Sequence, residues 1–167
     1  VYMLYEQTAS MPRELKIKAL DMGMGMERNA WFSQATPTMY DAAFPTVVKK
    51  LLNATGFKYD QELIKQYMPY GSYLNIDEVE DIDKAWQTVA QKVGTTVKEL
   101  KKNLVPLSGL YSIGEHARAL LVALNDGALP SNVGGGYNLR LLVRRALSFI
   151  EQNEWNIYLP DVCAWHA

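Results

Sequence analysis

Apolar and polar positions change period twice along the chain, and the changes divide it into a short β part and a long helical part. VYMLYEQ (1–7) is rich in aromatic and β-branched residues and reads as a strand. TASMPREL is turn-like. KIKALDMG (16–23) sets Ile17 and Ala19, with Met22, against lysines, and predicts a second strand antiparallel to the first. A helix is expected from about Met24–Met26 to Gln34. ATPTMYDAAFP, with Pro37 and Pro45 as breakers, is expected to be loop.

From there the helical period dominates. In TVVKKLLNATG, Val47, Val48, Leu51 and Leu52 share a face and Gly56 can end the helix. Asp60 is placed to cap a helix through Tyr67 that Pro69 and Gly71 stop. Residues 82–94 predict a helix closed by Gly94. Thr96 and Glu99 fit a capping box for a helix to about Leu104. A separate, strongly patterned helix follows in YSIGEHARALLVALNDG, where Ile113, Ala117, Leu120, Leu121 and Leu124 line one face and Gly127 ends the run. PSNVGGG (130–136) is expected to be loop. From Tyr137 another helix sets Leu139, Leu142, Val143, Ala146, Leu147 and Ile150 on one face and projects Arg140 and Arg144 together from another, with Arg145 beside them. The sum is a β-hairpin stub followed by a helical domain. A hairpin alone is marginal in water, so it is expected to belong to a larger sheet. Val1 lies in mid-strand, which suggests a piece of a longer protein.

Composition narrows the class. At 167 residues, 49% hydrophobic and 21% charged, the chain can bury a core and is not of disordered type. One cysteine, Cys163, excludes an internal disulfide and favours a reducing compartment, here the cytoplasm. No apolar run approaches the ~18 residues of a membrane span, and residues 1–10 lack the plan of a signal peptide. The net charge of −1 argues against a protein that is basic all over, but charge is unevenly placed. Residues 60–84 hold Asp60, Glu62, Asp77, Glu78, Glu80, Asp81 and Asp83 against Lys65 and Lys84. Residues 112–150 hold Arg118, Arg140, Arg144 and Arg145 against Glu115 and Asp126. A local basic face of that kind suits a polyanion, whereas the acidic run is expected to be solvated surface.

The stretch DMGMGMER (21–28) carries the first candidate chemistry. Gly23 and Gly25 allow close backbone approach, and a helix N-terminus attracts anions. A dinucleotide fingerprint would need a third glycine where Arg28 stands, and the G-K-[ST] of a phosphate loop is absent. What remains is Asp21, two glycines and an arginine on a first helical turn. That arginine can grip phosphate or stack on a base; equally, the glycines can serve a tight turn while Arg28 pairs with Glu27 or another carboxylate. Spacing alone does not choose.

DMGMGMERNAWFSQATPTMYD (21–41) resembles motif 3 of class II aminoacyl-tRNA synthetases in the alanyl-tRNA synthetase form, with its D-x-G-x-G-x-E-R signature. EHARALLVALNDGALPSNVGGGYNLRLLVRRAL (115–147) is similar to the helical tRNA-recognition domain of the same family, through D/E-H-x-R, D-G-x-x-P-S-N, G-Y-x-x-R and R-R. S-Q-x-T-P-T-x-Y-D-A (33–42) and the long segment between the two motifs are of the archaeal type, and residues 57–105 carry the resemblance least.

The resemblance implies a mainly α fold: residues 1–40 as the end of a class II antiparallel catalytic sheet with the motif 3 strand and helix, and residues 41–167 as a helical, bundle-like tRNA-recognition domain. It implies that Asp21 holds the amino group of alanine, Gly23 shapes a small amino-acid pocket, and Gly25 and Arg28 contact ATP, which comes with Mg2+. Asn132 would lie at the minor groove of the acceptor stem of tRNA(Ala), at its G·U pair, with Arg140, Arg144, Arg145 and Arg118 toward phosphates or the groove edge. A turn or cap role for Asn132, and ion pairs for Arg144 or Arg145, remain the structural alternatives. The family's second asparagine in P-S-N-x-N is Gly134 here. Motifs 1 and 2 are absent, as is the editing domain with its zinc ligands, so the chain by itself is expected to be inactive, with no catalytic residue and no metal site of its own. Neither DNA nor a membrane is an expected partner. The alternatives are a stand-alone, non-catalytic RNA-binding helical module and an unrelated nucleotide-binding helical protein. His116 is expected to be structural, bonded to a backbone carbonyl. Met22, Met24 and Met26 are expected to pack. Cys163 and His166 have Cys-x-x-His spacing but no second pair for zinc.

Overall fold

The computed structural model describes residues 2–75 and 80–167; Asp77 and Glu78 of the acidic run lie outside the described residues. Strands β1 (Tyr2–Gln7) and β2 (Pro12–Leu20) pair antiparallel, with a register shift between Met3 and Tyr5. The second strand therefore starts four residues earlier than its alternation suggested and absorbs half of the expected turn. The connection is tightened by Thr8, whose hydroxyl donates to the Met11 carbonyl and accepts from the Met11 N–H. Ile17 and Tyr5 on this ribbon remain largely exposed.

Helix α1 (Met26–Gln34) follows, and then α2 (Met39–Ala43) lies in what the prolines marked as loop. The reason is a capping box: the Thr38 hydroxyl accepts from Asp41 N–H while the Asp41 carboxylate accepts from Thr38 N–H and O–H. Pro45, expected to break structure, opens α3 (Pro45–Thr55) at its first turn, where a missing N–H costs nothing. Gly56 ends α3 in the left-handed region at φ 64°. Asp60 caps α4 (Gln61–Tyr67) through Glu62 and Leu63 N–H, and a 3₁₀ segment, Met68–Leu74, carries on past Pro69. Gly94 ends α5 (Ile82–Val93).

The two helices expected over 96–127 are one, α6 (Val97–Asn125), running through Pro106. An internal proline loses a ladder hydrogen bond and costs about 3 kcal/mol. Here burial on both sides offsets it, for Leu100, Asn103, Leu107, Leu110, Tyr111, Ile113, Ala117 and Leu120 are all buried. Leu124 falls beyond the packed part and is exposed. Helix α7 (Gly134–Gln152) starts three residues before Tyr137, taking in the glycines, and α8 (Leu159–His166) was not foreseen. On α7 the expected apolar face is real except at Leu147, which is exposed.

Two clusters form the core. The larger joins Phe44, Val47, Val48 and Leu51 to the middle of α6, Ala146 of α7, and Leu159 and Val162 of α8; the smaller joins Leu63, Tyr67, Val89, Ala90 and Leu100. Leu104 packs against both, so α6, about 43 Å long at 1.5 Å per residue, is the axis of the helical body. Buried Asn103 is satisfied by bridging elements: its side-chain oxygen accepts from Asp60 N–H at 2.8 Å and its amide donates to the Glu99 carbonyl at 3.0 Å. Among the described residues no helix is long and apolar enough to cross a membrane.

Candidate functional site

Asp21–Gly25 links β2 to α1 as an exposed, irregular segment. Gly25 occupies the N-cap of α1 at φ 76°, ψ 115°, a conformation that an L residue rarely adopts. That geometry lets the Arg28 stem fold back: a Cβ built on Gly25 would stand 3.6 Å from Arg28 Cδ and Cγ. Nothing lies within 4 Å of a Cβ built on Gly23, which therefore fronts open space. Met22, Met24 and Met26, expected to pack, are 70%, 61% and 83% exposed. The stretch thus presents an exposed carboxylate at Asp21, an open floor at Gly23, and an arginine stem laid over a glycine.

Arg28 does not pair with its neighbour. Glu27 accepts instead from Arg118 of α6, Nη2 to Oε1 at 3.0 Å, with both side chains about two-fifths exposed. The backbone N–H of Glu27 itself, and then the Arg118 guanidinium, hold the Glu27 carboxyl below its ordinary range. Arg118 also lines a cleft of about 480 Å³ together with Phe44, Val47, Leu121, Trp165 and His166. One further candidate is therefore tied to the motif at Asp21–Arg28 rather than to the loop around Asn132.

That loop is built by close contacts. Ser131 N–H donates to the Gly136 carbonyl at 3.0 Å, and its hydroxyl donates to the Val133 carbonyl at 2.9 Å. A Cβ on Gly136 would collide with Ser131 Oγ and come within 2.7 Å of the Leu129 carbonyl oxygen. Asn132 is exposed and does not cap α7; its side-chain oxygen accepts from Arg140 Nη1 in the second turn of the helix. Arg144 and Arg145 are exposed, and among the described residues neither forms an ion pair. The His116 imidazole is pushed below its usual range first by burial and then by the charge of Arg145.

The expected bond of His116 to a backbone carbonyl is not found among the described residues; the other histidine makes such a bond. His166 hydrogen-bonds to the Gly114 carbonyl at 2.9 Å, and Cys163 Sγ donates to the Ala117 carbonyl at 3.5 Å, so the Cys-x-x-His spacing docks α8 onto α6. Glu27 was missed as a site residue, since its partner lies 91 positions away. Also unforeseen is a cleft of about 410 Å³ lined by Trp31, Thr38, Tyr40, Leu107 and Tyr111.

The family described as tRNA synthetases class II (A) matches residues 2–164. The alanine–tRNA ligase of Methanocella arvoryzae is 46% identical over 99% of this chain and 19% of its own length. Those of Methanobrevibacter smithii and Nitrosopumilus maritimus are 40% and 37% identical, over 89% and 90% of this chain and 17% of their own lengths. The chain spans less than a fifth of these relatives.

Proposed function

The chain belongs to the class II tRNA synthetases, and from that premise we propose that it is the motif 3 end of the catalytic domain (residues 1–40) joined to the tRNA-recognition domain (41–167) of an alanine–tRNA ligase acting in the cytoplasm. The parent reaction joins alanine to ATP as an adenylate and then transfers alanine to tRNA(Ala). In it Asp21 holds the substrate ammonium group and Gly23 leaves room for a methyl side chain. Gly25 and Arg28 serve ATP, whose Mg2+ arrives on the triphosphate. A permanent cation suits phosphate. Attack of the alanine carboxylate on the α-phosphate, with pyrophosphate leaving, needs mainly positioning and charge neutralisation. Zinc belongs in this reading to an editing domain outside the chain.

The observation that best supports the RNA half is the contact of Arg140 with Asn132 on a loop held tight by Ser131 and Gly136. It holds an amide and a guanidinium together at one exposed place, on the helix that also carries Arg144 and Arg145. A shallow A-form minor groove is open to such a loop. Arg118, engaged by Glu27, is not part of this face. The test is binding of this chain to acceptor-stem minihelices carrying G·U or G·C. The G·U form should bind more tightly, Asn132→Ala should erase the difference, and Arg144→Ala should weaken both equally while lowering the salt slope by about 0.7–0.9. Equal affinity of the unaltered chain for both stems would sink the assignment.

A further inference from the structure

Four of the ion pairs join residues close in sequence. Glu6–Arg13 lies within the hairpin, and Lys18–Glu14, Lys65–Glu62 and Lys102–Glu99 each lie within a single element. Glu27–Arg118, in contrast, joins elements far apart in sequence. It adds to the packing of α1 beside α2, where Met26, Glu27 and Ala30 share a cleft with Ala42, Ala43 and Arg118, for α1 buries no residue fully and Met26 of its first turn is more than four-fifths exposed. Trp31, near the other end of α1, lies in the cleft with Tyr40, Leu107 and Tyr111.

Arg118 in contrast is delivered by a helix clamped on two sides. The carbonyls of Gly114 and Ala117 bond to His166 and Cys163 of α8, and Gly109 takes the Phe149 ring of α7 at 3.2 Å from a built Cβ. His116, two residues before Arg118, feels the charge of Arg145 on α7. One helix thus packs against α7, which carries Arg140, Arg144 and Arg145, and through Arg118 holds the first turn of α1. Glu27 is bonded directly to Arg28 in the chain, and the stem of Arg28 is folded over Gly25, so rotating that turn moves both side chains at once.

We propose that Arg118 is a positioning residue: through Glu27 it orients the first turn of α1, and with it Arg28, and so ties the ATP-binding turn to the helix that backs the RNA face. The proposal rests on the assignment of Arg28 to ATP made above. It gives Arg118 a role through another side chain rather than a contact with RNA.

The experiment is a double-mutant cycle in the full-length alanine–tRNA ligase that carries this segment, read by alanine-dependent pyrophosphate exchange. Arg118→Ala and Glu27→Ala should each raise KM for ATP about fivefold or more. The double variant should be no worse than either single one, since both break the same link. Arg118→Lys, which can still pair with Glu27, should recover most of the affinity for ATP. A merely structural role would not produce this pattern of KM, non-additivity and rescue. In this chain, Arg118→Ala should leave minihelix affinity unchanged. Additive effects, or an unchanged KM in an active enzyme, would overturn the proposal, and so would loss of minihelix affinity. Absence of exchange in the unaltered enzyme would instead overturn the reading on which it rests.

Discussion

The phenol of Tyr111, in the middle of α6, lies 3.2 Å from both carboxylate oxygens of Asp41, 70 residues earlier. Asp41 also closes the capping box of α2, so one carboxylate fixes the local turn and pins it to the central helix. Tyr111 is buried, stacks on Tyr40 with centroids 4.9 Å apart, and has its hydroxyl pushed far above its usual range, first by that burial. It therefore stays a neutral donor throughout the working pH range. Removing it leaves a partly buried carboxylate short of one donor while keeping the ring. Tyr111→Phe should cost about 1–3 kcal/mol. The measurement is urea denaturation of this chain, expected to show a lower midpoint with unchanged slope; a midpoint equal to the parent's would dismiss the link.

Gly114 carries a different constraint. Its carbonyl holds His166, and a Cβ built on it would stand 2.8 Å from Phe44 Cε2 and 3.4 Å from Leu51 Cδ1. The Phe44 ring cannot swing aside freely, because it is buried and packs edge-on against His166 and at a tilt against Tyr40. Gly114→Ala would therefore gain helix propensity yet lose more by overpacking, a net destabilisation of about 1–3 kcal/mol. Gly23→Ala, with nothing within 4 Å, should leave the melting temperature unchanged. Comparable melting shifts for the two substitutions would refute this account of the packing.

Local signals account for most of what the sequence made legible. Asp60, Gly56, Gly94 and Thr96 mark their helix ends because each acts on backbone groups within a few residues. The misreadings come where one local rule hides another or where distant packing decides. Pro37 and Pro45 masked the Thr38–Asp41 box. Pro106 promised a break that the buried flanks of α6 override. Three glycines promised a loop where α7 begins. At the site, Arg28 and the Asn132–Arg140 group carry short-range patterns and stand out in the chain. Glu27–Arg118 does not, since nothing in either neighbourhood names a partner 91 positions away.

Acid should destabilise the chain in two stages. Burial, the leading cause at both histidines, holds His166 and His116 below the usual 6.5; at His166 the bond to the Gly114 carbonyl pulls the other way. Below that value the unfolded chain binds more protons than the folded one, so the histidine contribution is complete above about pH 6.5 and is lost as pH falls. The Glu27 carboxyl is held below 4.5, so its contribution is present above 4.5 and is lost only at lower pH. Urea midpoints should accordingly be level from pH 8 to 7, decline below about 6.5, and decline again below 4.5. His166→Gln should flatten the first decline. A midpoint that rises between pH 7 and 5 would contradict the direction of these shifts.

The Asn132 loop allows one substitution to be set against another two residues away. Gly136 meets Ser131 and the Leu129 carbonyl so closely that any side chain must open the turn, whereas Gly134 sits at φ 57° with nothing within 4 Å of a built Cβ. Asparagine is among the few residues that visit this left-handed region at modest cost, and it is the residue that the related motif P-S-N-x-N carries at that place. Gly134→Asn should therefore fold as well as the parent chain and bind the G·U minihelix more tightly, because it returns an amide to the exposed loop without moving Ser131. Gly136→Ala should do the reverse: it leaves Asn132, Arg140 and Arg144 intact in kind, yet weakens binding by displacing the backbone that aims them. Titration of both variants with the same minihelix decides the matter. Equal affinity of the Gly136→Ala variant and the parent chain would mean that the rigidity of the loop contributes nothing to recognition.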